Sequence, residues 1–239
     1  MKIQKIKDGA WSIEDRIFVE QVKQLLSGSR SSVVVGAMAA TIIAITNYSL
    51  TDVGIFWLWV ACMCLGLASR VGVTWWYDCT KSAVQDIKYW RRLCNLYMAC
   101  VMWMGFAWGC AGHIFLPQDT SKLSPISAAI FVGLTAGSMT AFSPVLRIYL
   151  AFIFLILTPV AVNLISRGTG TDLAFGALTL LYGFFLSLYG RAQNRTFTES
   201  FALRFQNQEL VDNLRAEKES AEALNRSLAN EVMERRSAA

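Results

Sequence analysis

Charge and histidine are scarce in this chain. Only 16% of its 239 residues are charged, 54% are apolar, and His113 is the single histidine. Catalysis therefore has little to work with. The chain has no HExxH, no paired carboxylates in its apolar runs, no phosphate-cradling GxxxxGK loop and no Ser, His, Asp grouping, so it is not expected to be an enzyme by itself. Cys62, Cys64, Cys79, Cys94, Cys100 and Cys110 make no CxxC pair, so free thiols rather than disulfides are expected. The first 30 residues are charged throughout and lack the early apolar core of a cleavable signal, so insertion is expected to start at the first spanning helix. The net charge is +5, and the basic residues lie beside apolar runs rather than on a face that could follow phosphates. Anionic lipid headgroups are the expected counter-charges, and nucleic acid is not an expected partner.

What the chain has is long apolar sequence, with a mean hydropathy of +0.41. Six runs, at 32–50, 55–73, 93–116, 126–142, 146–165 and 173–190, each approach the roughly 20 residues needed to cross a hydrocarbon core. Turn residues separate them: Asp52 and Gly54, then Pro117, Asp119 and Pro125, then Ser143 and Pro144, then Gly168 and Gly170. The expected fold class is all-α, a polytopic membrane protein in three parts: an amphipathic helix within 1–30, a six-helix transmembrane bundle at 31–190, and a coiled-coil helix at 191–239 continuous with the last span. In the first part, Ser12 and Asp15 form a capping-box pattern, and Ile13, Ile17, Phe18, Val22, Leu25 and Leu26 recur at helical spacing. The spacing predicts a helix over 12–27, lying on the membrane surface and stopped by Gly28.

Charge sets the orientation. Lys2, Lys5, Lys7, Arg16, Lys23 and Arg30 precede the first run; Arg70, Lys81, Lys88, Arg91 and Arg92 are assigned to the loop after the second; Arg147 follows the fourth. The alternate loops offer only Lys122 and Arg167, so both termini are expected to be cytoplasmic. Trp75, Trp76, Tyr77 and Trp90 then fall at the inner headgroup level, where interfacial anchoring is the expected role, and part of 74–92 is expected to rest on the membrane.

In the tail, Leu203, Asn207, Leu210, Leu214, Glu217, Ala221, Leu224 and Leu228 alternate by fours and threes, the seam of a two-stranded coiled coil. Asn207 and Glu217 weaken it, and the step from Leu224 through Leu228 to Val232 is a stutter. Competing registers of similar energy suit a helix that switches. A marginal solvated helix is the alternative.

Small and polar residues mark the spans. Gly105 and Gly109 on the third, and Ala129, Gly133, Gly137 and Ala141 on the fourth, recur every four residues, a packing pattern that predicts contact between these two spans or across a homodimer. Pro159 is expected to loosen the fifth span. His113 continues the Gly105, Gly109 series and is expected to face the bundle interior near the outer surface, where Asn47, Asn163 and Trp108 would join it in a small ligand pocket; a histidine bonded to a carbonyl is the plainer alternative. Cys94, Met98 and Met102 form a soft stripe that could suit cuprous copper, but apolar helices use Cys and Met as filler, so packing is the expected role and no metal site is assigned. Haem would need a second axial ligand, such as the histidine of a second subunit, and no cofactor is required by the sequence. Mid-span polar residues are hydroxyls such as Thr135, Ser138 and Thr140, a poor basis for a transporter.

YWRR at 89–92, GFAWG at 105–109, the glycine-rich fourth span ending FSP at 142–144, and RFQNQELVDNLRAEKESAEALN at 204–225 together resemble the N-terminal six-helix sensory region of bacterial membrane diguanylate cyclases and hybrid histidine kinases. The resemblance covers nearly the whole chain. It implies a bacterial inner-membrane location and a last span that continues into a PAS, GGDEF, EAL or histidine-kinase domain beyond Ala239. The ending NEVMERRSAA resembles a linker toward a PAS or GGDEF domain, which makes a cyclic di-GMP enzyme the first expectation for the effector. The expected function is a dimeric sensor that passes a signal, such as a small apolar ligand, a quinone, a metal or bilayer thickness, along span six into the coil. A membrane scaffold that recruits partners through the coil is the competing class.

Overall fold

The computed structural model describes residues 11–48, 51–80, 86–115 and 125–237, with side chains except at 125, 126, 228, 229 and 231–237. Lys2, Lys5, Lys7, Lys81, Pro117, Asp119 and Lys122, the expected span ends at 50 and 116, and the side chains of Pro125, Leu228 and Val232 lie outside the described residues. The described chain is helical: α1 (Ile13–Ser27), α2 (Ser29–Asn47), α3 (Val53–Thr80), α4 (Ile87–Ile114), α5 (Pro125–Phe142), α6 (Leu146–Arg167) and α7 (Gly170–Ser237). Five stretches, Ile13–Asn47, Val53–Thr80, Ile87–Ile114, Leu146–Arg167 and Gly170–Ser227, are long and apolar enough to cross a membrane, and Ser127–Phe142 is a shorter apolar helix. The chain divides into two units, Met1–Thr198 and Glu199–Ala239.

Local chemistry explains the boundaries. Ser12 Oγ accepts from the Asp15 amide at 3.1 Å and donates to Asp15 Oδ2 at 3.1 Å, a reciprocal cap that starts α1. Gly28 ends α1 in an ordinary right-handed conformation, so α2 follows almost without interruption. Asp52 Oδ1 accepts from the amides of Gly54 at 2.9 Å and Ile55 at 3.2 Å and starts α3. Gly168, at φ 72°, closes α6 in the left-handed region that glycine adopts without penalty. Thr169 and Asp172 then start α7 with a second reciprocal cap, at 3.2 Å and 2.7 Å.

In the first unit α4 is the central helix, packed on α6, α3 and α1. Two indoles tie α3 to it, Trp59 Nε1 donating to Ala107 O at 2.9 Å and Trp103 Nε1 to Cys62 O at 3.0 Å. The α4 and α6 contact depends on glycine and proline together. Pro159 has no amide hydrogen to donate, which frees the carbonyl of Leu155 four residues earlier. A Cβ on Gly109 would sit 2.2 Å from that oxygen, and one on Gly105 would sit 3.2 Å from Phe152 and Leu155 side-chain carbons. α6 remains helical through Pro159. The proline therefore opens a docking point for the α4 backbone without interrupting its own helix.

Three expectations about the basic end change. α1 does not keep its apolar face for headgroups: Val19, Val22, Leu25 and Leu26 are buried in the same core as Trp90 and Leu93 of α4. Each such burial is worth roughly 1.5–3 kcal/mol relative to water, and α4 supplies the partner because its helix starts at Ile87, before its apolar run. α3 runs as helix through Thr80, so Arg70 and 74–80 belong to it rather than to a loop. Trp90 is 5% exposed and packs edge-on to Tyr77 with Lys23 over its ring, a core residue rather than an interfacial anchor, whereas Trp75 is 69% exposed.

The second unit is helix whose described side chains are exposed from 206 to 227, including Leu210, Leu214 and Leu224. Ion pairs Arg215 to Asp212, Lys218 to Glu222 and Arg226 to Glu222, all at 3.8 Å, run along its surface. Exposed pairs of this kind add only a few tenths of a kcal/mol each, about 0.3–0.5, so they do not replace a packing partner.

Gly109→Ala is expected to destabilise the first unit by about 1–3 kcal/mol, seen as a lower thermal midpoint in detergent. Gly133→Ala, whose added carbon meets nothing within 4 Å, should leave the midpoint unchanged.

Candidate functional site

The four residues expected to line an outer pocket do not converge. His113 is exposed. A step of four residues advances a helix by 400°, so from Gly105 to His113 the side chain rotates by about 80°, and Ala111 and Gly112 take the interior place instead. Asn163 Nδ2 donates to the His113 carbonyl at 3.4 Å, and its Oδ1 accepts from Arg167 Nε at 3.2 Å. Asn47 is buried and turned onto its own helix, donating to Ile43 O at 2.9 Å and Thr46 Oγ1 at 3.0 Å. Trp108 is buried in an aromatic cluster, edge-on to Trp59 and Phe131. At this end the structure instead holds an apolar cavity of about 390 Å³ among α4, α5, α6 and α7, lined by Gly112, Phe131, Val160, Leu164, Phe175 and Tyr182 among others. The hydroxyl of Ser127 is buried at its wall without a hydrogen-bond partner.

The small-residue stripes part company. Gly105 and Gly109 pack on α6, whereas their spacing suggested contact with α5 or across a homodimer. Ala129, Gly133 and Gly137 are exposed, a Cβ at Gly133 or Gly137 would meet nothing within 4 Å, and Ala141 alone of the α5 stripe packs against the core. Cys94 is buried, Met98 half-buried and Met102 exposed, rotating around α4 by the same drift that displaces His113. Among the described residues no three His, Cys, Asp or Glu side chains group to hold a metal ion.

Arg70, expected in a loop, lies instead in the interior. It is 3% exposed in the middle of the first unit. Its Nη2 donates to Ser32 Oγ at 3.0 Å and to Tyr97 OH at 2.9 Å. Its guanidinium carbon lies 5.6 Å from the Tyr97 ring centre and 5.2 Å from that of Phe142. Nε is buried with no hydrogen-bond partner. The signal was present in the sequence: VGVTWWY follows Arg70 at 71–77 with no proline and only the isolated Gly72, which a helix tolerates. Arg70 borders a cavity of about 420 Å³ between α2 and α5, whose walls include Ser32, Gly36, Met104, Trp108, Gly137 and Phe152. Gly133 and Gly137, the unfilled stripe, lie along it.

α7 is fastened where its sequence turns from apolar to polar. Tyr149 OH donates to Leu186 O at 3.2 Å, and its ring occupies the space a side chain on Gly190 would need. Asn194 Nδ2 donates to the carbonyls of Ser143 at 2.8 Å and Pro144 at 2.9 Å, gripping the α5 to α6 turn. Gln21 Nε2 on α1 donates to Thr198 Oγ1 at 3.1 Å. None of these three clasps was legible from periodicity, because each joins elements distant in sequence.

Comparison of the chain with protein-family models, curated proteins and solved structures finds no match. Its chemistry therefore has to be argued from its own residues.

Tyr97→Phe removes one of the two oxygens that serve Arg70 and is expected to cost about 1–3 kcal/mol in an unfolding titration. His113→Ala should fall within about 0.5 kcal/mol of wild type, as exposed positions do.

Proposed function

We propose that the chain is the sensory and transducing region of a bacterial inner-membrane signalling protein, a homodimer with both termini in the cytoplasm. The observation that carries this reading is α7, one helix from Gly170 to Ser237 whose sequence passes from apolar to highly charged. A helix without a break transmits rotation or translation from one end to the other, whereas a flexible linker would dissipate it. The clasps at Tyr149, Asn194 and Thr198 support the same reading. They bind the exit of α7 to α1 and to the α5 to α6 turn, so a shift in packing among those elements acts on α7 directly.

The distribution of basic residues supports a cytoplasmic location for the end that carries α1. Leu203, Leu210, Leu214 and Leu224 are each more than half exposed in the single chain, a seam whose best occupant is a second copy. Asn207 and Glu217 weaken that seam, which supports a coil able to shift between registers. The output we infer is a cyclic di-GMP enzyme that follows the coil, with a hybrid histidine kinase as the second choice. The chain itself supplies no catalytic step.

Two variants test this. In lipid nanodiscs the wild-type chain should have the mass of a dimer. Leu210→Asp with Leu214→Asp removes two apolar contacts and should weaken association at least about 100-fold; a dimer unaffected by the pair contradicts the seam. In the full-length protein Gln193→Pro should uncouple output from the membrane region while leaving membrane insertion intact. Unchanged output regulation would sink the transducer reading.

A further inference from the structure

Burying a guanidinium without a carboxylate is costly in water or lipid, and proteins offset it with an opposite charge or full hydrogen bonding. Arg70 has neither. Between residues 21 and 198 the acidic residues are Asp52, Asp78, Asp86, Asp119 and Asp172. Asp52 and Asp86 cap the starts of α3 and α4. Asp78 pairs with Arg30, and Asp172 caps α7. Asp119 lies outside the described residues. Among those described, no carboxylate bonds Arg70, its Nε is orphaned, and an open cavity lies beside it.

We propose that this cavity is the binding site for an anionic amphiphile drawn from the bilayer, its carboxylate or phosphodiester head held by Arg70 and its acyl chain laid along the cavity's apolar wall. The fit has three parts. Nε offers a donor that no protein group uses. Ser32 accepts from Arg70 through its oxygen and so keeps its own proton for an anion. Val35, Met104, Leu134 and Phe152 give an apolar wall, and a Cβ at Gly133 or Gly137 would meet nothing within 4 Å, so that flank is open space. The cavity borders the first turns of α2 and the last of α5, the end that the proposed orientation places in the inner leaflet, where anionic headgroups are found. Three elements that surround α7's clasps, α2 through its continuity with α1, α5 and α6, line this cavity. An occupant there would bear on the elements to which α7 is bound. The inference rests on the chain spanning a membrane and not on its signalling output, because binding is read without an effector.

The test uses the whole chain in nanodiscs of dioleoylphosphatidylcholine doped with phosphatidylglycerol or with oleate, followed by native mass spectrometry after detergent release. The wild-type protein should retain one anionic amphiphile per chain against the excess of zwitterionic lipid. Arg70→Gln should retain at least about tenfold less, the loss expected for a charge-assisted hydrogen bond. Gly137→Leu keeps the arginine and fills the cavity, and it should lose the amphiphile equally; it decides the matter if Arg70→Gln does not fold. Retention of phosphatidylcholine in proportion to the bulk, or equal retention in Gly137→Leu, overturns the proposal. So does saturation by inorganic phosphate alone in amphiphile-free detergent, which would make the site one for a soluble anion. A chain that fails to enter the nanodisc contradicts the membrane reading itself, an outcome distinct from insertion without binding.

Discussion

The close approach of α4 to α6 sets most of what surrounds it. At Gly109 the α4 backbone meets the Leu155 carbonyl, which Pro159 leaves without an intrahelical donor. Glycine without proline would offer close approach with no polar receptor. Proline without glycine would leave a carbonyl facing a methyl group. Together they bring α4 into the middle of the bundle. Trp108 and Met104 then form the floor of the Arg70 cavity, while Gly112 faces the apolar cavity at the other end. A helix placed in this way is buried on most sides, which is why α4 accounts for Trp90, Leu93, Tyr97, Val101, Met104, Trp108 and Ala111 of the core.

A second constraint follows from scarcity of charge. Carboxylates are few between α2 and the exit of α7, and among the described residues each one starts a helix or pairs at an end while none bonds Arg70. A buried arginine in such a chain is served by hydroxyls and aromatic rings. That arrangement serves Nη2 and leaves Nε without a partner, the donor on which the proposed anion site rests.

The boundaries marked by capping and turn residues were legible in the sequence because they depend on local chemistry. Ser12 with Asp15, Asp52 with Gly54 and Gly168 each act on backbone groups within a few residues. Facing was not legible. In a helix that is apolar all round, periodicity does not separate a side that meets protein from one that meets lipid, so the four-residue series points His113 inward and the α4 glycines toward α5 or a second chain, and neither facing matches the structure. Drift of 40° for each four-residue step moves a stripe off its face within two turns, about 80° over eight residues. Arg70 and Trp90 failed for another reason. Charge near a span end suggests a loop and aromatics near a span end suggest an interface, yet both side chains lie on helices extended past their apolar runs, where α1 and α2 cover them.

The transducer reading stands or falls on α7 carrying the packing of the bundle into a paired coil. The most direct measurement is an interchain disulfide scan in native membranes, with the six native cysteines replaced, one cysteine introduced at a time along the tail from 203 to 217, and a membrane-permeant oxidant. The account predicts strong cross-linking at 203, 207, 210 and 214 and little at the positions between them. Uniform cross-linking, or none at any position, would contradict a paired helix and with it the transducer reading.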